Sequence, residues 1–233
     1  MVLTAAQELA ELLGRAAAAG ISGQVHAIGD AAVRTALDVF ATTPAVSTAS
    51  AGHGRRLMPR IEHAQLVDPT DVPRFGALGV AASLQPVHLR SDAAPARAAW
   101  GDRSENTFPL RALVESGALI PIGTDAPVEP ADPWPGIAVA VERRDPFDAS
   151  EQQTGAHQAI GLARAIRAAC LDPALVAGEQ DLGRLLPGYR ADLLVVPAGA
   201  FRDPFMPAEF ASVRPLATVI DGDVVHRSGA FDP

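Results

Sequence analysis

Along the first three quarters of the chain, apolar residues recur at helical spacing, then in short runs, then at helical spacing again. TAAQELAELLGRAAAAG predicts a first helix over 4–20, with Thr4 and Gln7 fitting a capping box and Gly20 a natural stop. A short strand, GQVHAI, follows, and Gly29-Asp30 opens a second helix with Val33, Leu37 and Phe40 on one face. Residues 42–54, rich in Gly, Ser and Ala, predict an exposed loop. Beyond it come a strand, RIEHAQL, a Pro-bounded helix over 69–78 and a buried strand, GVAASLQP. Residues 87–105 predict a long loop with at most a short helix, of the kind that forms binding loops or lids. The helix TFPLRALVES stops at Gly117 and feeds a fourth strand, ALIPIGT. The Pro-rich APVEPADPWPG then leads to GIAVAVERR and to a longer helix over 156–170. Strands separated by crossover helices imply a parallel sheet with helices outside it, an α/β fold.

The last quarter changes rhythm. ADLLVV predicts a strand, and ATVI-DG-DVVH a hairpin with Asp221-Gly222 as a type I′ turn. The change falls between Gly178 and Gly188, so the expected units are residues 1–178 and 179–233.

Composition narrows the function. The 233 residues are 48% hydrophobic and 20% charged, enough for a sizeable core and too apolar for a disordered chain. A net charge of −8 argues against a nucleic-acid surface. All 19 basic residues are arginine, which excludes Schiff-base, P-loop and carboxylated lysines within this chain. The single Cys170 excludes an intrachain disulfide, suits a reducing cytoplasm, and is expected to pack as a small hydrophobe. No apolar run reaches membrane-spanning length, and Glu8 and Glu11 interrupt any signal-like stretch.

Three residues occupy equivalent places, each at the C-terminal end of a predicted parallel strand: His26, His63 and Asp125. They lie 37 and then 62 residues apart, too far for a zinc finger and right for ligands from separate βα units. Two imidazoles and a carboxylate suit Zn²⁺ or a similar divalent ion. On the residues alone, a satisfied structural histidine and a turn-capping Asp125 compete with that reading on even terms.

The local words carry a resemblance. VHAIGDAAVRTALD, RIEHAQLVDPTDVPRFGALGVAASLQPVH and TFPLRALVESGALIPIGTDAPVEPADPWPGI closely resemble the metal-dependent amidohydrolase superfamily, nearest to amidohydrolase family 3, the N-substituted formamide deformylase-like group. DLGRLLPGYRADLLVV and LATVIDGDVVH resemble that family's tail, so the likeness runs from Thr4 to His226. It implies strands five to eight of a (β/α)8 TIM barrel with their helices, followed by part of a small β-sandwich. It implies His26, His63 and Asp125 as metal ligands, zinc foremost, and hydrolysis of a non-peptide carbon–nitrogen bond in an amide- or formamide-type small molecule. It implies that Asp125 takes the water proton and delivers it to the leaving nitrogen, and, as in some branches with one metal, that His63 polarises the carbonyl instead.

His88 resembles a family position facing the pocket, with substrate contact and a surface role on equal footing; Gln85 and Asp92 flank it and share that standing. Glu62 is expected to point away from His63, and Asp30 to be a helix N-cap. Trp134 and Phe108 are read as core before pocket wall, and His53, His157 and His226 as surface residues.

The chain departs from the family pattern in two ways. There is no H-x-H, and the fourth-strand ligand is missing too. The four visible strands match the fifth to eighth, so the chain resembles the C-terminal half of a family member. Four parallel strands cannot close a barrel, and the sheet should keep two unpaired edges. Two readings follow. One is an amidohydrolase apparatus completed by an N-terminal half, with no nucleic-acid or membrane partner. The other is an inactive half-barrel acting as an associating or binding subunit, as a homo-oligomer or with a complementing half. A lyase of similar architecture fits the tail hairpin less well.

Overall fold

The computed structural model describes residues 4–43 and 58–229. Helix α1 (Ala6–Ala18) leads into strand β1 (Gln24–Ala27), α2 (Asp30–Thr42), β2 (Arg60–His63), α3 (Val72–Leu78) and β3 (Ala81–Ser83). The three strands pair in parallel in the order β1-β2-β3, as the strand–helix alternation requires. In register, His26 lies opposite Glu62 and Glu62 opposite Ser83. Val25, Ile61 and Ala82 occupy the alternate face, where Ile61 and Ala82 are fully buried. The His26 face is polar: Arg60 pairs with Glu62 and donates to Gln24 Oε1 at 2.7 Å.

The predicted fourth strand is reduced to an irregular segment beside β3. Ala82 N–H donates to the Leu119 carbonyl and Leu84 N–H to that of Pro121, leaving one parallel bridge, Leu84 to Ile122. Pro121 has no N–H to give, so a regular ladder cannot run through it. The outer edge of this segment is not open, contrary to expectation. Ile120 N–H donates to Asp172 Oδ2 at 3.2 Å, and Ile122 N–H to the Ala168 carbonyl at 2.9 Å. Both acceptors belong to α7 (Leu162–Val176), which covers the edge. Among the described residues no strand pairs with the other edge, at β1.

The core lies between the sheet's apolar face and the helices. Val33, Leu37, Ile61, Phe75, Leu110, Leu113 and Ile120 are fully buried in one cluster, each contributing about 1.5–3 kcal/mol in water-transfer terms. Val33, Leu37 and Phe40 all face it from α2. Several local expectations shift by small amounts. Helix α1 has Ala5, not Thr4, at its N-cap, which puts Gln7 at the second helical position. The capping box therefore cannot close, and Gln7 instead reaches Glu11 one turn on. Gly29 is the N-cap of α2, and Asp30, inside the helix, accepts from Ala31 N–H and pairs with Arg103.

The expected loop at 87–105 is largely helical. A 3-10 turn, Pro86–His88, runs into α4 (Leu89–Trp100) and a second 3-10 stretch, Gly101–Asn106. Pro95 inside α4 removes one helical hydrogen bond but does not end the helix, because Leu89, Ala93 and Ala96 bury one stripe of it. Helices α5 (Leu110–Glu115) and α6 (Trp134–Glu142) follow, and the long helix α7 begins at Leu162, after a 3-10 turn, Ala156–Gln158. Cys170 is exposed on α7 rather than packed.

The last quarter forms a separate antiparallel sheet, β4 (Leu193–Val195), β5 (Ala217–Ile220) and β6 (Asp223–Arg227), in that order. Asp221 and Gly222 both have positive φ, as a type I′ hairpin requires. Before β5, α8 (Pro207–Ala211) sets the buried Phe210 ring against Trp134 at 5.3 Å, with Phe205 and Phe201 around it. Trp134 and Phe108 are thus core side chains. No helix among the described residues is long and apolar enough to cross a membrane.

Candidate metal centre

His26 lies within β1 and His63 ends β2, and strict alternation would put them on opposite faces, because His26 is opposite Glu62. The backbone overrides alternation: φ is +74° at His63 and +40° at Ala64. This left-handed step brings the His63 ring to 4.4 Å from that of His26, edge to face. The turn is pinned on one side by Ala64 N–H to the Ala27 carbonyl and Leu66 N–H to that of Ile28. On the other side, Phe108 N–H donates to the Gln65 carbonyl at 2.6 Å.

His88 closes the 3-10 turn after β3, its ring stacked 6.3 Å from that of His63. Asp125 follows the fourth segment, also left-handed at φ +59°, with Oδ2 3.6 Å from His88 Nε2. Non-glycine residues in this region carry strain that folds keep mainly at functional sites. One ligand atom each from His63, His88 and Asp125 lies within 4.8 Å of the other two. Burial lowers the His63 pKa, the neighbouring His26 and then His88 lower it further, and the Asp125 and Glu62 charges oppose them. A neutral imidazole is the form that ligates a cation, so this donor set fits a zinc-like divalent ion.

The structure thus gathers His63, His88 and Asp125 at mutual ligand distance, and His26 joins them only through its ring contact with His63. Gln85 and Asp92 have other contacts. Gln85 is buried, with Nε2 on the Ser83 carbonyl and Oε1 without a partner, while Asp92 accepts from Gln65 Nε2 at 3.0 Å and from Ser91. His88 stands at ligand distance, and it follows β3 through a 3-10 turn. Glu62 pairs with Arg60, and His157 and His226 are exposed. His53 and most of the predicted 42–54 loop lie outside the described residues. The cluster is open to solvent, since His26 is exposed and the Asp125 side chain is 40% accessible. A cleft of about 500 Å³ lies elsewhere, against α8 and the start of β5, and contains none of these four residues.

Imidazoles and a carboxylate at the C-terminal ends of successive parallel strands are how α/β enzymes assemble a catalytic cation site. The chain belongs to the amidohydrolase family, whose model matches residues 2–226, and family 3 is the branch its motifs resemble. It is 30% identical over 225 residues to the amidohydrolase YtcJ of Bacillus subtilis (strain 168), covering 95% of this chain and 40% of that one. It is 25% identical over 232 residues to the N-substituted formamide deformylase of Arthrobacter pascens, covering 92% and 38%. Among solved structures, an uncharacterized metal-dependent hydrolase from Pyrococcus furiosus matches with TM-score 0.69 and 30% identity over 82% of this chain and 36% of that one. The chain therefore spans less than half the length of these relatives.

Proposed function

We propose that this chain carries the C-terminal half of a metal-dependent amidohydrolase acting on a non-peptide carbon–nitrogen bond of a small amide- or formamide-type substrate. The observation that carries the reading is the convergence of His63, His88 and Asp125, with the His26 ring against that of His63, obtained through left-handed backbone at His63 and Asp125. Residues 1–178 would be strands five to eight of a TIM barrel with their helices, and 179–233 the closing strands of a composite β-sandwich. His26, His63 and Asp125 would hold a divalent ion, zinc foremost, with His88 within reach as a further ligand or as a substrate contact beside Gln85 and Asp92. When bound, such an ion lowers the pKa of water towards about 7 and polarises a carbonyl.

The chain's own residues supply the rest. Asp125, exposed and ionisable, accepts the proton of the attacking water as its oxygen bonds to the carbonyl carbon, and returns that proton to the nitrogen as the C–N bond breaks. His88 Nε2 lies 3.6 Å from Asp125 Oδ2, close enough for both to face one ion. Neutral His63 keeps its lone pair for ligation. The open cluster and the relatives' greater length support completion by a second segment that supplies the missing H-x-H, in the same or another polypeptide. An exposed free thiol suits a reducing compartment such as the cytoplasm.

The exposed apolar residues of β6, together with the open centre, favour a second reading, an inactive subunit that works by association. Zinc stoichiometry and hydrolysis of N-formyl and simple amide substrates decide between them, with His63→Ala and Asp125→Ala as controls. We expect zinc in the wild type and its loss in both variants. Wild-type protein retaining no more zinc than His63→Ala overturns the metal reading, and zinc without any hydrolysis favours the associating subunit.

A further inference from the structure

We propose that Arg143 is a positioning residue for this centre: its buried guanidinium fixes the backbone that holds the left-handed turn at His63. The inference rests on the metal reading above, and its observations lie outside the cluster. Arg143 follows α6 and is fully buried. Its guanidinium donates to three carbonyls, Thr107 at 2.7 Å, Phe108 at 3.1 Å and Thr154 at 3.1 Å. These partners are backbone oxygens rather than a carboxylate. Burial lowers its pKa to about 10, opposed by the Glu105 charge, so it remains cationic at neutral pH.

The route to the centre is short. Phe108, itself at φ +46°, gives its N–H to the Gln65 carbonyl, and Thr107 forms an antiparallel bridge with Leu66. Gln65 is two residues from His63. The guanidinium thus anchors one wall of the 63–66 turn, and the end of β1 anchors the other. Gly155 shows how closely the anchor is enclosed: a Cβ there would lie 2.5 Å from the Glu105 carbonyl and 3.2 Å from Arg143 Nη2.

A residue needed only to fill space would be apolar, because an uncompensated buried cation is expensive. Three carbonyls approached from one planar group call for the fixed fork of arginine, which lysine cannot reproduce. Groups that orient metal ligands through other residues typically shift metal affinity about 10–100-fold when removed.

The test compares Arg143→Lys and Arg143→Met with Leu13→Ala, a core truncation on α1 that lowers stability without touching this network. Cobalt-loaded protein gives a ligand-field spectrum that reports ligand geometry directly, and zinc affinity is measured by competition with a chromogenic chelator. Arg143→Lys keeps the charge and most of the volume, so it carries the decision where Arg143→Met fails to fold. We expect Arg143→Lys to change the cobalt spectrum and weaken zinc binding by at least about 10-fold, with Leu13→Ala leaving both unaltered. Amide exchange at Phe108 in the metal-free protein separates this inference from the function itself. It should quicken in Arg143→Lys relative to global unfolding whether or not the wild type binds metal. An unchanged Phe108 exchange rate in folded Arg143→Lys overturns the positioning role, and so does a shift of equal size in Leu13→Ala.

Discussion

The rings of His26 and His63 meet edge to face at 4.4 Å although their strands place them one residue out of step. The sheet register sets His26 beside Glu62. Only the left-handed φ at His63 and Ala64 carries the second imidazole across to the first. The same device recurs at Asp125. Two non-glycine side chains thus reach one site by leaving the β-region, His63 where β2 ends and Asp125 after the irregular fourth segment, an arrangement that regular strand geometry cannot give.

Proximity of the imidazoles has a consequence for stability against pH. Burial and the neighbouring His26 depress the His63 pKa below its ordinary 6.5 in the folded protein. The unfolded chain therefore takes up a proton there at higher pH than the folded one does. The contribution is complete above about pH 6.5, and it is lost as pH falls through the depressed folded value. Urea unfolding of chelator-treated protein should show stability falling as pH drops from about 6.5 to 5, with a smaller slope in His63→Asn. Equal slopes would remove His63 from the account.

A second prediction concerns the close approach of α3 to the end of α5. A Cβ on Gly76 would sit 1.8 Å from the Ser116 carbonyl oxygen and 2.9 Å from its carbon, both backbone atoms. Backbone cannot swing aside as a long side chain can, so one of the two elements must shift. Gly76→Ala should destabilise the protein by about 2 kcal/mol or more, read as a lowered thermal midpoint. An unchanged midpoint would mean that the two elements are not in contact in solution.

The covered sheet edge makes Asp172 a further test. Its carboxylate is fully buried, takes the Ile120 N–H, and pairs with Arg164 and Arg167. Asp172→Ala leaves the buried Ile120 N–H and two guanidinium groups short of a partner, and we expect a loss of about 3 kcal/mol in urea titration. Asp172→Asn keeps an acceptor for Ile120 and should lose less. An Asp172→Ala protein as stable as the wild type would show that α7 does not seal this edge.

Legibility in the sequence follows from range. The alternation of helix and strand, the two-residue hairpin turn and the apolar face of α2 rest on local spacing, and each stands in the structure. The candidate residues were readable by type and by position at strand ends. Their convergence was not, because alternation assigns His26 and His63 to opposite faces and nothing in the order of residues announces a positive φ at a histidine. Helix α4 was hidden by Pro95, since the burial that outweighs one missing N–H depends on packing from other elements. The broken fourth strand was marked by Pro121, but the acceptors on α7 that cover its edge lie about 50 residues further along the chain.

The last prediction concerns the second sheet. Among the described residues strand β6 lies at the edge of its sheet with all five residues exposed, among them Val224 at 49% and Val225 at 57%. Ile220, on the adjoining strand, is also more than half accessible. An edge strand with exposed apolar side chains is a template for pairing with another chain, and natural edges are commonly guarded by lysine, which this chain lacks throughout. Sedimentation velocity should therefore show concentration-dependent self-association, and Val225→Lys should reduce it by placing a charge within the edge. Zinc content should be the same in both proteins, because β6 contributes nothing to the His63–His88–Asp125 cluster. If wild type and Val225→Lys sediment alike at every concentration, β6 is not the surface through which copies meet.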